Sequence, residues 1–242
     1  MDDFYLFANC NFVPDKYGDW QEAYDDLSTY VWSSEPTTKA YYFGIPLDYA
    51  HDFSKTTSMF AFEIYGKRDD LYGDKGHLSS PAMSTFLQKI PAASTTGLDL
   101  NHYKCVAGFL DLPGDKTECG IMQDVRITCT SASARDSLLS SLSQLVTSVE
   151  KQTRADGGKD GVLTYMAFAN LDDDVGARIF GRWKTREDME RFIRREEVNS
   201  FLFANKENVR AMEQRGYLPN GKGWLHRGEG YAGEVKHDSA NL

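Results

Sequence analysis

Apolar and polar positions alternate in short runs, then spread to helical spacing, and the two patterns take turns along the chain. Residues 4–13 read as a strand ended by the turn residues Pro14-Asp15. Asp19 offers a helix N-cap with Glu22 three positions on, as in a capping box. Trp20, Ala23, Tyr24, Leu27, Tyr30 and Val31 follow on one helical face. Glu35-Pro36 stops that helix, because the residue before a proline is pushed out of the helical region. Residues 39–47 and 59–65 read as strands, 68–90 as a second helical region and 103–110 as a fourth strand. The order is β-α-β-β-α-β.

The rest of the chain gives the same order again. Residues 121–129 form a strand, and a serine-rich cap leads into a helix with Leu138, Leu139, Leu142, Leu145, Val146 and Val149 on one face. Strands follow at 162–169 and 177–183, Thr185 caps a helix carrying Met189, Phe192 and Ile193, and 216–225 closes the copy as a strand interrupted at Pro219-Asn220-Gly221. The segment Ala61-Phe-Glu-Ile-Tyr65 with its basic-acidic turn matches Ile179-Phe-Gly-Arg-Trp183 with Lys-Thr-Arg186-Glu-Asp, at an offset of 118 residues. The expected organisation is a first repeat at 1–110, a linker at 111–117, a second repeat at 118–227 and a loose, Gly-rich tail at 228–242. Two such units are two ferredoxin-like halves, each with helices on one sheet face and an apolar face left over. Phe60, Phe62 and Ile64 share one side of their strand while Glu63 and Tyr65 share the other. The expected fold class is α+β, with the open faces packed sheet to sheet as an intramolecular α+β barrel.

Composition narrows the function. At 242 residues with 41% hydrophobic and 13% aromatic positions, the chain can bury a large core. Thirty-six acidic against 27 basic side chains give a net charge of −9, which argues against a nucleic-acid partner. No apolar run reaches the roughly 18 residues of a membrane span, and the Met-Asp-Asp start lacks a signal-peptide pattern, so a cytoplasmic address is expected. The four cysteines are scattered and read as buried thiols, and the five histidines show no metal-ligand spacing, so no metal is expected. Gly228-Glu-Gly230-Tyr-Ala-Gly233 has the spacing of a dinucleotide motif but no strand-turn-helix context, and no organic cofactor is expected.

Glu63-Ile-Tyr65-Gly-Lys-Arg-Asp-Asp-Leu71, followed by His77-Leu-Ser-Ser80-Pro81 and Phe86, resembles the strand-helix pattern of the antibiotic-biosynthesis monooxygenase family. Glu35-Pro36-Thr37-Thr38 resembles that family's Glu-Pro-Gly-Thr, with Thr37 at the usual glycine. The resemblance covers the topology of 1–227, with motif-level matching over about 35 residues of the first half. Members are dimeric α+β barrels, some fused in tandem, so the resemblance implies a small-molecule pocket between helices and sheet. The implied activities include cofactor-independent oxygenation of anthrones and phenols, quinol oxidation and haem degradation. The second half departs from the first, with Phe192 where His77 stands and Arg195-Glu196 where Ser80-Pro81 stand.

His77 is the leading candidate for a general base, since Ser80-Pro81 starts a helix just beyond it and the positive end of a helix disfavours an imidazolium. A surface or capping histidine is the competing reading. Tyr65 and Trp183 end equivalent strands and either pack or wall a planar substrate. Adjacent Tyr41 and Tyr42 must point to opposite faces, one of them free to bond a substrate oxygen, and Phe86 faces inward from its helix. Asn9 and Asn11 share a strand face and could steady an enolate, or close a local loop. Arg182 and Arg178 could neutralise an anionic substrate, or pair with Glu63 or Asp124; His102 reads as structural. Catalytic roles are thus expected for His77, Asn11 and Tyr65, and substrate contacts for Asn9, Tyr41, Tyr42, Phe86, Trp183 and Arg182. The expected function is cofactor-independent oxygenation of an aromatic, polyketide-type molecule with O2. Decarboxylation, isomerisation or cyclisation, or non-catalytic binding, are the alternatives. A single chain with two halves is expected to be a monomer or a weak homodimer.

Overall fold

The computed structural model describes residues 3–115 and 117–227. Eight strands and six α-helices alternate: β1 (Phe4–Asn11), α1 (Tyr17–Ser34), β2 (Thr38–Pro46), β3 (Ser58–Tyr65), α2 (Arg68–Tyr72), α3 (Pro81–Lys89) and β4 (Asp99–Leu110) come first. They are followed by β5 (Ile121–Cys129), α4 (Ala132–Asp156), β6 (Val162–Asn170), β7 (Gly176–Trp183), α5 (Arg186–Ile193), α6 (Glu196–Ala204) and β8 (Val209–Trp224). The class is α+β, and the strand order β1-β3-β2-β8-β5-β7-β6-β4 is closed. Two compact units divide the chain, one of residues 1–102 with 219–242, the other of 103–218. These bounds differ from the repeats read in the sequence, because β4 and β8 each run through both units.

In the first unit β3 lies between β1 and β2, antiparallel to both, with Phe4 opposite Tyr65 and Tyr41 opposite Glu63. Strand periodicity then sorts the side chains. Ala8, Cys10, Tyr41, Phe43, Met59 and Ala61 join Trp20, Tyr24, Leu27 and Val31 of α1 and Met83 and Phe86 of α3 in one buried cluster. Phe7 packs instead on Phe60 and Phe62 from the other face of β1. The split of Phe60 and Phe62 from Glu63 and Tyr65 is therefore as the sequence pattern predicts.

Three local expectations change. Asp19 does not cap α1, which begins two residues earlier with Lys16 at the N-cap; Asp19 pairs with Lys16 Nζ at 2.6 Å instead. The region 68–90 is not continuous, since α2 ends at Gly73, a 3-10 turn forms at His77–Ser79 and α3 starts afresh. Ser80 caps α3 as its type predicts, accepting from the Met83 amide at 3.1 Å with Pro81 in the first turn. Finally, β8 runs unbroken through Pro219-Asn220-Gly221. Gly221 and Gly223 absorb the irregularity at φ +74 and +73, and a Cβ at Gly223 would stand 1.9 Å from the Tyr41 carbonyl oxygen, so only glycine fits.

The second unit is built in the same order of elements. β7 lies between β5 and β6, and β5 also pairs with β8. Ser131 caps α4 by accepting from the Ala134 amide, and Gly157 ends it in the left-handed conformation at φ 67. Leu138, Leu142, Val146 and Val149 of α4 are fully buried, and Thr185 caps α5 as expected. On β7, Arg178 and Arg182 alternate with Ile179 and Trp183 and so face the other side of the strand. The tail 228–242 and its Gly228–Gly233 motif lie outside the described residues.

Candidate active site

His77 occupies the first position of the 3-10 turn, where the chain must break because Ser80-Pro81 begins a new helix. The turn carries the imidazole inward, and the residue is 2% exposed, so the surface reading of His77 is excluded. Nδ1 lies 2.9 Å from Glu35 Oε2 and 3.2 Å from Oε1. With Nδ1–H donated to that carboxylate, the neutral ring presents the Nε2 lone pair on its far side. Nε2 faces the Tyr41 hydroxyl at 3.4 Å.

Glu35 is delivered by the end of α1, where Pro36 stops the helix, and its side chain is 10% exposed. It also borders a wide surface groove formed with Pro36, Thr37, Lys67 and Asp70, so one carboxylate meets solvent on one side and His77 on the other. This is the base-and-orienter pairing of nucleophile and proton-transfer sites.

A second buried carboxyl stands across the same region. Glu63 accepts from the Tyr65 hydroxyl at 2.7 Å. Burial raises its carboxyl to about 6, an effect that His77 and the Tyr65 hydrogen bond oppose. Burial likewise pushes the phenols of Tyr24, Tyr41 and Tyr65 well above their ordinary range, with the neighbouring carboxylates adding to it. These groups are hydrogen-bond donors at neutral pH, not phenolates.

Between them lies a cavity of about 30 Å³ lined by His77, Glu63, Tyr41, Tyr24, Trp20 and Phe86, with Leu78, Met83 and other apolar side chains completing the wall. Tyr24 is buried at 1% exposure, and among the described residues its hydroxyl has no hydrogen-bond partner. The arrangement supplies one lone pair for a proton, one carboxylate to hold the base, and phenol donors for a developing oxyanion.

Of the predicted residues, His77, Tyr41 and Phe86 line this cavity, and Tyr65 stands behind it through Glu63. Asn9, Asn11 and Tyr42 do not join them. Asn9 and Asn11 have the opposite strand parity from Leu6 and Ala8, which face the cavity, and Tyr42 the opposite parity from Tyr41. Asn11 is exposed at the end of β1, where its backbone N–H donates to Thr96 Oγ1. Trp183 and Arg182 belong to the second unit. Trp183 packs on Phe192, and Arg182 is fully buried and pairs with Asp111 at 2.6 Å. Arg178 forms a two-bond pair with Asp124, one of the two partners expected, whereas the partner of Arg182 is Asp111, which the sequence reading did not name. His102 bonds the Tyr72 hydroxyl at 2.6 Å and stacks on Phe4, as a structural residue does.

Glu35, Glu63 and Tyr24 were not among the candidates. Glu63 was visible as the one charged residue on the helix-facing parity of β3, and Tyr24 sat one turn from Trp20; nothing local tied Glu35 to a histidine 42 positions away. Among the described residues, no group of three or more His, Cys, Asp or Glu side chains is placed to hold a metal ion. No described helix is long and apolar enough to cross a membrane.

No protein-family model matches the chain, and no curated protein matches it. Solved structures do. A Fusobacterium nucleatum protein described as a "putative monooxygenase" superposes with a TM-score of 0.72 over 94% of this chain and 96% of its own, at 12% identity. An "anthrone oxidase-like protein" gives 0.59 over 90% and 92% at 10% identity. A staphylococcal protein described as "a major regulator of staphylococcal pathogenesis" gives 0.52 over 89% and 98%, also at 10% identity. The resemblance read from the residues is thus met by a likeness of fold along nearly the whole chain, and a fold of this kind carries more than one function.

Proposed function

We propose that the chain is a monooxygenase-like enzyme that acts on a small aromatic molecule, a phenol or an anthrone, with His77 as general base. The observation that carries the reading is the buried chain from Glu35 through His77 to Tyr41 at an aromatic-lined cavity. Nε2 takes a proton from the acidic methylene or hydroxyl, and Glu35 holds the imidazole in the tautomer that allows it. The phenols of Tyr24 and Tyr41 donate to the oxyanion that develops. The electron-rich anion then reduces O2: a methylene becomes a carbonyl, one oxygen atom stays in the product and the other leaves as water. No organic cofactor or metal enters this scheme. Similar folds described as monooxygenases and as anthrone oxidase-like support it.

The cavity of about 30 Å³ is near the size of a single water, far short of an anthrone. Substrate entry therefore displaces Leu78 and Met83, which border it from the 3-10 turn and α3. The tandem origin of the two halves belongs to the same proposal, with the first half carrying the chemistry.

Oxygen uptake with anthrone or a dihydroxynaphthalene, under metal chelation and without added flavin or nicotinamide, tests the reading. Uptake matched by product, and lowered roughly 10²–10⁴-fold in folded His77→Gln, is the expected result. The site residues supply only proton transfer, which equally suits isomerisation or decarboxylation. Turnover undiminished in anaerobic buffer would assign the chain to that class instead.

A further inference from the structure

We propose that Glu63 is a second catalytic residue of the first unit, the acid that protonates the peroxide formed when the substrate anion meets O2. The inference rests on the oxygenation proposed above and adds a group that the scheme there does not use.

Geometry singles this carboxyl out. Glu63 is buried in the middle strand of its unit, opposite Leu6 of β1 on one side and Tyr41 of β2 on the other. All three side chains line the cavity. His77 reaches the same cavity from the turn before α3, so base and carboxyl stand on different walls, one in the helical layer and one on the sheet. The Tyr65 hydroxyl occupies Oε2 at 2.7 Å, which leaves Oε1 to carry a proton. At the matching place on β7 stands Gly181, as Phe192 stands for His77, so the second unit repeats neither group.

The groups that face Glu63 are His77, Glu35, and the phenols of Tyr24, Tyr41 and Tyr65, while its neighbour on β1 is the apolar Leu6. Burial outweighs the pull of His77, so the carboxyl holds its proton up to about 6. The phenols hold theirs too tightly to release them, and the imidazolium that forms on His77 is held by Glu35. Glu63 is thus the group with a proton to give near neutrality.

The protons and electrons balance. His77 takes one hydrogen of the methylene as a proton, and the carbanion adds O2 through a new C–O bond, which leaves the charge on the outer oxygen. Glu63 protonates that oxygen to a hydroperoxide. The Glu63 carboxylate then removes the second methylene hydrogen as a proton. The electron pair of that C–H bond becomes the C=O bond, the O–O bond breaks and hydroxide departs. The proton held on His77 converts hydroxide to water. Methylene and O2 have become carbonyl and water, with His77 neutral and Glu63 protonated again.

Two rates on anthrone, with the full chain, separate the steps. Exchange of the methylene hydrogens in anaerobic D2O, followed by proton NMR above the buffer rate, reads the base alone, whereas aerobic product formation needs both residues. Glu63→Gln should retain the exchange and lower product formation roughly 10²-fold. Wild-type turnover in that variant would leave His77 to carry every proton, which overturns the inference and leaves the proposed function standing. Loss of exchange together with turnover would place Glu63 in the first deprotonation or in substrate binding, and overturns the inference as well. In the wild type, the ratio of product formation to exchange should fall about tenfold per pH unit above about 6, because both rates need neutral His77 and its titration cancels. A ratio that stays flat overturns the inference, and this measurement decides if Glu63→Gln does not fold. A wild type with neither exchange nor oxygen uptake overturns the proposed function and this inference together.

Discussion

At the residue scale, two buried carboxyls set the behaviour of the first unit, and they are held differently. Glu35 meets solvent on one side, whereas Glu63 is enclosed and, among the described residues, has only the Tyr65 hydroxyl as a hydrogen-bond donor. Its folded value of about 6 lies above the ordinary 4.5, so folding favours the protonated form. The stabilisation this brings is complete below about 4.5 and lost as pH rises through about 6, a difference of about 2 kcal/mol. Glu63→Gln keeps an acceptor for Tyr65 and removes the titration. Unfolding free energies by urea from pH 4 to 7.5 should show the variant gaining about 2 kcal/mol on the wild type across that window. Parallel curves would mean that Glu63 is solvated in the folded protein. Strand parity made Glu63 and Tyr65 legible together, and the same rule placed Tyr41 and Tyr42 on opposite faces. It could not say which face held the chemistry, and so Asn9 and Asn11 were grouped with a histidine they do not face.

At the element scale, the termini of helices decide where functional groups point. Ser80 and Pro81 start α3 and leave His77 in the turn before it, so the cap is part of the site's geometry. Ser80→Ala should cost about 1 kcal/mol and lower turnover more than that loss explains, measured as kcat per folded molecule. The C-terminus of α1 has a less expected partner. Arg227 donates to the carbonyls of Val31, Trp32, Glu35 and Thr38, at 2.5–3.0 Å, with its guanidinium 4.9 Å from the ring centroids of both Trp32 and Trp224. Trp32 lies in the last turn of α1, where a helix leaves carbonyls open, whereas the Val31 carbonyl also accepts from the Glu35 amide and Thr38 begins β2. The clamp fixes the backbone that carries Glu35. Arg227→Ala should therefore destabilise the fold by about 2–3 kcal/mol, and Arg227→Lys should recover little, because one ammonium cannot reach four carbonyls in a plane. Equal melting temperatures for Arg227→Lys and the wild type would reduce the clamp to a simple charge effect. Caps at Ser80, Ser131 and Thr185 were readable because the residue type carries the geometry; Arg227 was not, since its partners lie about 190 positions away.

At the scale of the whole molecule, the alternation of strands and helices was legible, and the reach of the longest strand was not. Residues 209–215 are mostly exposed and polar in pattern, so nothing in their hydrophobicity announced the first part of β8. That strand matters because its far end returns to the first unit. Trp224 is fully buried there, in the cluster of Tyr41, Phe43, Trp20 and Tyr24, and its ring centroid lies 5.4 Å from that of Tyr41. A fragment ending at residue 110 lacks Trp224 and Arg227, and so lacks part of the core beneath the His77 cavity. Removing the indole alone, in Trp224→Ala, should cost about 3–5 kcal/mol, a large share of the 5–15 kcal/mol that holds a typical domain folded. The fragment 1–110 should accordingly show weak near-ultraviolet circular dichroism and no cooperative urea transition, while the full chain shows both. Adding a peptide of residues 216–227 in trans should restore part of the signal, as the missing strand supplies its tryptophan. A fragment that unfolds cooperatively at the full chain's midpoint without the peptide would show that the first half is self-sufficient, and that Trp224 merely covers a core already complete.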